Sequence, residues 1–449
     1  MKIFAFLILM FAALTVVGQT TYDDVAVLVN DNSQTSIEIG NYFQSARNIP
    51  NQNMIHVFAP KTEEIDTTAF RQLRVQIKDH LDAMGIADSI NYIVTTKGVP
   101  LKINSGCVDD SDPGANCASV DSELTLLCGS LSSSIGGSGF ISNPYFNSTT
   151  DFERDSFGIY LVTRLDGYSK DDVINLIERS GPNTGVNKTS AKAIIDVSNA
   201  VDQDSTYFRS LLTPAYNYLV TNSWNAEQDY YLTPPSEKSD VFGYFGLGHG
   251  PLSNVTFNYD WSKGAVGSMS MCNSAYTFDA GANIESDFLI ADMIKEGCTG
   301  AIGHVDDVFL SQLWDAEVFV NHYFDTAQSF NLAESYYSAE KNLSWQSVVI
   351  GDPKASIEID NLASIDEFDP DPESINVYPN PSTGVINVKG GAAIESVAVV
   401  DMRGAVVQHY KEPASQLITL DLKGVQAGIY LLNIQIDGEL TRKSVVVNK

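Results

Sequence analysis

Val25-Ala-Val-Leu-Val29 is a compact apolar run suited to a strand buried in a sheet, and the residues after it decide the fold. Asn30-Asp-Asn-Ser33 supplies capping side chains for a helix through Arg47, with Ile37, Tyr42 and Phe43 as core contacts. Ile49-Pro50 stops that helix, and Met54–Phe58 reads as the next strand. Thr67–Met84 carries Phe70, Leu73, Ile77, Leu81 and Met84 at helical spacing, and Gly85 ends it. Ile90–Thr95 is a strand again. Strand and helix in strict alternation predict an α/β domain, a mostly parallel sheet with helices on both faces.

Working outward, residues 102–150 break the rhythm. They are rich in Ser, Gly, Asn and Asp and read as a long surface excursion with one helix-like piece near Ser119–Leu127. Asp109, Asp110 and Asp112 offer weak calcium chemistry, and their spacing fits no standard calcium loop. The alternation then resumes. Strands are expected at Gly158–Thr163, Ala193–Val197, Val241–Leu247, Ala265–Met271 and Gly300–Val305. Helices are expected at Asp171–Glu178, Thr206–Leu219, Ser286–Glu296 and Leu313–Phe324.

Both ends of the chain differ from this body. Lys2 precedes the apolar stretch Ile3–Val17, too short to span a bilayer, so residues 1–18 read as a signal peptide. No later segment reads as membrane-spanning, which makes the mature protein exported and free of transmembrane segments. Residues 19–360 form the α/β domain, and 361–375 an acidic, proline-bearing linker. Residues 376–449 carry a net charge of +1, against −31 for the rest of the mature chain. They read as a small all-β antiparallel sandwich, with strands at Val385–Val388, Ser396–Val400, Ile418–Leu420, Ile429–Ile436 and Ser444–Val447.

Composition narrows the function. The 449 residues carry a net charge of −29, a surface that repels phosphate backbones and anionic lipid, which excludes a nucleic-acid partner. A hydrophobic content of 44% is enough to bury a core. Five cysteines leave at least one thiol free or paired between molecules. Cys107 and Cys117 bracket a turn-rich loop that a disulfide can close. No cysteine or histidine spacing fits zinc, and there is no phosphate-binding glycine loop, HExxH or GxSxG. His304-Val-Asp-Asp307 offers one histidine beside two carboxylates, and Arg164-Leu-Asp-Gly167 an internal ion pair.

Three sets of motifs carry resemblances. Val377-Tyr-Pro-Asn-Pro-Ser-Thr-Gly-Val-Ile-Asn-Val388, Val400-Asp-Met-Arg-Gly-Ala-Val406, Leu422-Lys-Gly-Val-Gln-Ala-Gly-Ile-Tyr430 and Arg442-Lys-Ser-Val-Val-Val447 closely resemble the C-terminal sorting domain of type IX secretion. That resemblance implies the type IX machinery as a partner, and release from the cell or attachment to its outer surface. Ser36–Pro50, Lys97–Lys102, Ser119–Leu124, Tyr160–Gly167, Leu332–Tyr337 and Ser344–Pro353 look like segments of an uncharacterised family of secreted bacterial proteins.

The third resemblance carries a mechanism. Tyr244-Phe-Gly-Leu-Gly-His-Gly250, then Gly267-Ser-Met-Ser-Met-Cys-Asn-Ser274, then helix, strand and Gly351-Asp-Pro353 are similar in order to gingipain-type cysteine peptidases of the caspase fold. It implies a peptidase in which Cys272 attacks the scissile carbonyl and His249 protonates the leaving amine. Backbone N–H groups at Gly250 and Cys272 hold the oxyanion, and a protein or peptide is the substrate. The same residues admit a second reading. A cysteine ending an apolar strand is a small core hydrophobe and Gly-His-Gly a turn. The chain is then a non-catalytic, surface-attached binding module on a degenerate caspase-like fold.

Overall fold

The computed structural model describes residues 20–103, 118–128, 141–197, 204–229, 236–247, 258–270, 273–280, 289–306, 308, 310–325, 330–359, 375–401, 403, 405–411, 415–436 and 439–448. The expected signal peptide, and the linker up to residue 374, lie outside them. The chain divides into two compact units, Met1–Asn361 and Leu362–Lys449.

In the first unit the opening alternation forms as its chemistry dictates. Strand β1 (Val25–Asn30) is buried along its whole length, with Val25, Val27 and Val29 in one apolar cluster and Ala26 and Leu28 in another. Helix α1 (Gln34–Arg47) starts at Ser33, whose hydroxyl accepts the Ser36 N–H. Gly40 lets α1 lie against β1, since a Cβ there would stand 2.4 Å from Val29 Cγ2. Strand β2 (Met54–Val57), the short β3 (Glu64–Ile65), helix α2 (Thr67–Met84) and β4 (Tyr92–Thr96) come next. α2 is capped by Asp66 and buries Phe70, Leu73, Ile77 and Leu81.

After β5 (Lys102–Ile103) come α3 (Val120–Leu124), β6 (Ile141–Ser142), α4 (Arg154–Phe157), β7 (Leu161–Leu165), α5 (Lys170–Arg179), β8 (Thr184–Val186) and β9 (Lys192–Val197). The chain continues through α6 (Asp204–Thr221), with Pro214 inside it, β10 (Ala226–Asp229), β11 (Val241–Leu247), β12 (Trp261–Ser270), α7 (Ile290–Glu296) and β13 (Gly300–His304). The unit closes with α8 (Ala316–Tyr323), α9 (Leu332–Ala339), β14 (Asn342–Leu343), β15 (Ser347–Gly351) and β16 (Ile357–Ile359).

Ten strands make one sheet in the order β10-β9-β11-β12-β13-β15-β7-β4-β1-β2. It is mostly parallel, with one antiparallel seam where β13 meets β15, Gly300 opposite Gly351 and His304 opposite Ser347. The seam divides the sheet into two five-stranded halves, β10-β9-β11-β12-β13 and β15-β7-β4-β1-β2. Helix α9 lies in a segment where hydrophobic periodicity predicts no element. Strand β12 also starts four residues before the expected Ala265.

The second unit is a six-stranded antiparallel fold: β17 (Ile375–Tyr378), β18 (Val385–Asp401), β19 (Val406–Tyr410), β20 (Ser415–Asp421), β21 (Gly428–Ile436) and β22 (Glu439–Val447). The two strands expected at Val385–Val388 and Ser396–Val400 are one long strand. Gly390-Gly391 looks like a break in sequence, yet here it only shifts the register between Lys389 and Ile394. The first part of β18 pairs with β17 and β20, its second part with β19 and β21. Ile386, Val388, Val397, Val399, Leu420, Leu432, Ile434 and Val445 form its core.

Candidate functional site

Open α/β sheets place their chemistry beyond the carboxyl ends of strands, near the point where the strand order reverses. In the second half-sheet that point lies between β9 and β11, and β12 lies on the far side of β11. β11 and β12 are parallel neighbours with Leu247 opposite Ser270, so the chain leaves both strands at the same end of the sheet. His249 comes two residues after Leu247 and Cys272 two residues after Ser270, an equal offset past the paired ends. His249, Gly250 and Cys272 themselves lie outside the described residues. So do Cys107, Cys117, Asp109, Asp110 and Asp112.

The walls leading to that end are described. β11 is buried at every position, and the Tyr244 hydroxyl donates to Asp196 Oδ2 at 2.6 Å. Burial and the Asp196 carboxylate hold the Tyr244 phenol far above its ordinary range. The chain resumes at Asn273, in the left-handed region with φ 66°. The Ser274 hydroxyl accepts the His304 N–H at 3.2 Å, and the Ala275 N–H donates to the His304 carbonyl at 2.8 Å. His304 itself is fully buried at the end of β13, next to the strand that leads to Cys272.

Residues 276–278 then meet the other half-sheet. Lys102 Nζ sits 3.2 Å from the centre of the Tyr276 ring. Glu63 accepts the Thr277 hydroxyl at 2.5 Å and the Phe278 N–H at 2.6 Å, while Lys97 Nζ donates to the Phe278 carbonyl at 2.9 Å. Burial raises the Glu63 carboxyl above its usual range, against these hydrogen bonds, which lower it. No sequence signal marked Glu63. Lys97 was visible only as a member of a family-like motif.

Behind this contact lies a buried ionic network that brings three of the motifs together. Arg164 is fully buried and makes two bonds of 2.8 Å to Asp121, one of 3.3 Å to Asp166, and others to the Val99 and Pro100 carbonyls. Asp166 also takes Lys97 Nζ at 3.2 Å. The expected Arg164–Asp166 pair thus forms, with Asp121 as its stronger partner. Asp352, at the turn after β15, binds Arg47 at 2.6 Å and Tyr22 at 2.8 Å. Gly351 holds φ 133° there, and a Cβ would stand 2.4 Å from Leu332.

The equivalent reversal point of the first half-sheet, between β1 and β4, is filled by the chain itself. Buried Asn30 donates to the Gly98 carbonyl at 2.7 Å and accepts the Ala59 N–H at 3.1 Å. A cleft of 440 Å³ opens elsewhere, lined by Tyr168, Asp172, Asp279, Ala280, Asp292 and Lys295 among others. Burial raises the Asp292 carboxyl, which bonds the Tyr168 hydroxyl at 3.0 Å. Among the described residues no group of three His, Cys, Asp or Glu side chains is placed to hold a metal. Of the described cysteines, Cys128 and Cys298 carry free thiols, and burial pushes that of Cys298 up to about 12. No helix among the described residues is long and apolar enough to cross a membrane.

Residues 376–448 match the family described as the secretion system C-terminal sorting domain, which addresses the chain for secretion. No curated protein matches the chain in sequence. Among solved structures, the arginine-specific cysteine proteinase gingipain R is 12% identical, with a TM-score of 0.42 over 96% of this chain and 99% of that one. A complex of gingipain pro- and mature domains from Porphyromonas gingivalis is also 12% identical, at 0.38 over 94% of this chain and 100% of that one. A separase–securin complex from Saccharomyces cerevisiae is 14% identical, at 0.33 over 65% of this chain and 18% of that one. None of these likenesses transfers a residue role.

Proposed function

We propose that the protein is exported through type IX secretion and acts outside the cell, free or attached to the surface, as a cysteine peptidase. Cys272, as thiolate, attacks the scissile carbonyl, and the carbonyl oxygen takes its charge against backbone N–H groups of Gly250 and Cys272. His249 gives a proton to the leaving amine as the C–N bond breaks. Water then attacks the thioester, releasing the new carboxyl end and regenerating the thiol.

The observation that supports this reading most is the register of β11 and β12. Leu247 lies opposite Ser270, and the two candidate residues come at equal distance past them. The test is hydrolysis of a quenched-fluorescent casein by the full chain and by Cys272→Ala and His249→Ala, with iodoacetamide modification of Cys272 in parallel. Expected are a loss of more than about a thousandfold in kcat/KM for Cys272→Ala and rapid alkylation of the folded wild type near neutral pH. Hydrolysis that survives Cys272→Ala would sink the reading. So would a Cys272 thiol that reacts only after unfolding, which would leave a surface-attached binding module.

A further inference from the structure

We infer that Glu63 and Lys97 are positioning residues for the segment Asn273–Asp279, and through it for the Cys272 thiol. The thiol part rests on the peptidase reading above. The Phe278 peptide group is gripped at both poles, its N–H by Glu63 at 2.6 Å and its carbonyl by Lys97 at 2.9 Å. The Phe278 ring is fully buried, and the Thr277 hydroxyl occupies the second oxygen of Glu63. At its other end the segment is bonded to β13 through Ser274 and Ala275, and the Ser274 carbonyl accepts the Ile290 N–H at 2.8 Å. Six residues therefore bridge the two half-sheets, starting one residue after Cys272.

The grip is rigid because its own parts are held. The Glu63 carbonyl accepts the Leu101 and Lys102 N–H groups at 2.7 and 2.9 Å. Lys97 is tied through Asp166 to the fully buried Arg164 and on to Asp121. A chain of locked side chains thus runs from the interior of one half-sheet to the loop that leaves β12 in the other. A nucleophile displaced by about 1 Å loses much of its rate, so such support outside the reacting atoms has a chemical use. The next residues, Asp279 and Ala280, line the 440 Å³ cleft, so the same grip sets one wall of that cleft.

The experiment compares wild type, Glu63→Ala, Glu63→Gln and Lys97→Met in the full chain. It reads amide exchange at Thr277–Asp279, the iodoacetamide rate constant of Cys272, and kcat and KM on the casein substrate. Glu63→Ala is expected to speed Phe278 exchange and to slow Cys272 alkylation and kcat about tenfold, with KM changed less. Glu63→Gln keeps an oxygen for the Phe278 N–H and is expected to restore most of both. If Phe278 exchange rises while the Cys272 rate constant stays at the wild-type value, positioning is overturned and the peptidase reading stands. A wild-type thiol that is silent until unfolding overturns both, and that is read on the wild type alone. Should Glu63→Ala fail to fold, Lys97→Met carries the same comparison.

Discussion

Around β4 and β7 the apolar interior encloses an ionic network, whereas around β9 and β11 it is set apart by clustered aromatic rings. In the first half-sheet Arg164, Asp121, Asp166 and Lys97 bond one another, and Asp352, Arg47 and Tyr22 form a second buried cluster. In the second, Trp224, Phe242 and Phe324 pack ring to ring at 4.9 to 5.2 Å, and Phe319 stacks on Tyr336 at 4.2 Å. Directional bonds fix a geometry to a few tenths of an ångström, while ring packing tolerates rearrangement at similar volume. The half that carries the candidate dyad is thus the more adaptable one, and its loop 273–279 takes directional support from the ionic half.

The largest expected effect sets the two kinds of interior against each other. Arg164→Met leaves Asp121 and Asp166 buried without their cation and should cost about 3–5 kcal/mol in urea unfolding. Phe319→Leu lets neighbouring rings close in and should cost less than about 1.5 kcal/mol. A Phe319→Leu loss as large as that of Arg164→Met would break the comparison.

A smaller effect depends on pH. Burial pushes the Glu340 carboxyl up to about 7, above its unfolded value of 4.5, although hydrogen bonds lower it. A raised carboxyl stabilises the fold fully below the unfolded value and loses that contribution as pH rises through the folded one. Wild type should therefore lose on the order of 1–3 kcal/mol between pH 4.5 and 8 that Glu340→Gln keeps. Parallel stability curves for the two proteins would show that Glu340 does not titrate in that window. At the bottom of the scale, Lys170→Ala breaks an exposed 2.7 Å pair between α5 and Glu38 of α1. Its melting temperature should match wild type within error, and a resolvable drop would mean that surface pairs also hold this half together.

Much of the fold is readable residue by residue. Ser33 and Gly85 mark helix ends where side chain or backbone freedom predicts them. β11 appears at Val241–Leu247 as the apolar run requires. The seam at β13/β15 was not readable, because the direction in which a strand joins a sheet is set by distant partners and not by any local pattern. The sorting domain was legible from its ordered motifs, but the continuity of β18 through Gly390-Gly391 was not, since glycine marks both breaks and bulges.

The candidate site divides the same way. Cys272, His249 and the strands before them are a matter of sequence order, and so are secretion motifs that a sorting machinery reads from one contiguous segment. Sequence by itself determined the alternation of elements, the acidic surface and the sorting address, because periodicity, composition and short motifs act locally along the chain. Tertiary structure alone decided that Glu63 meets Phe278 across 215 positions and that Arg164 meets Asp121 across 43. It also decided that β15 joins the sheet antiparallel to β13. Those pairings depend on which loops the strand order brings together, and a buried charge finds its partner in space, wherever along the chain that partner lies.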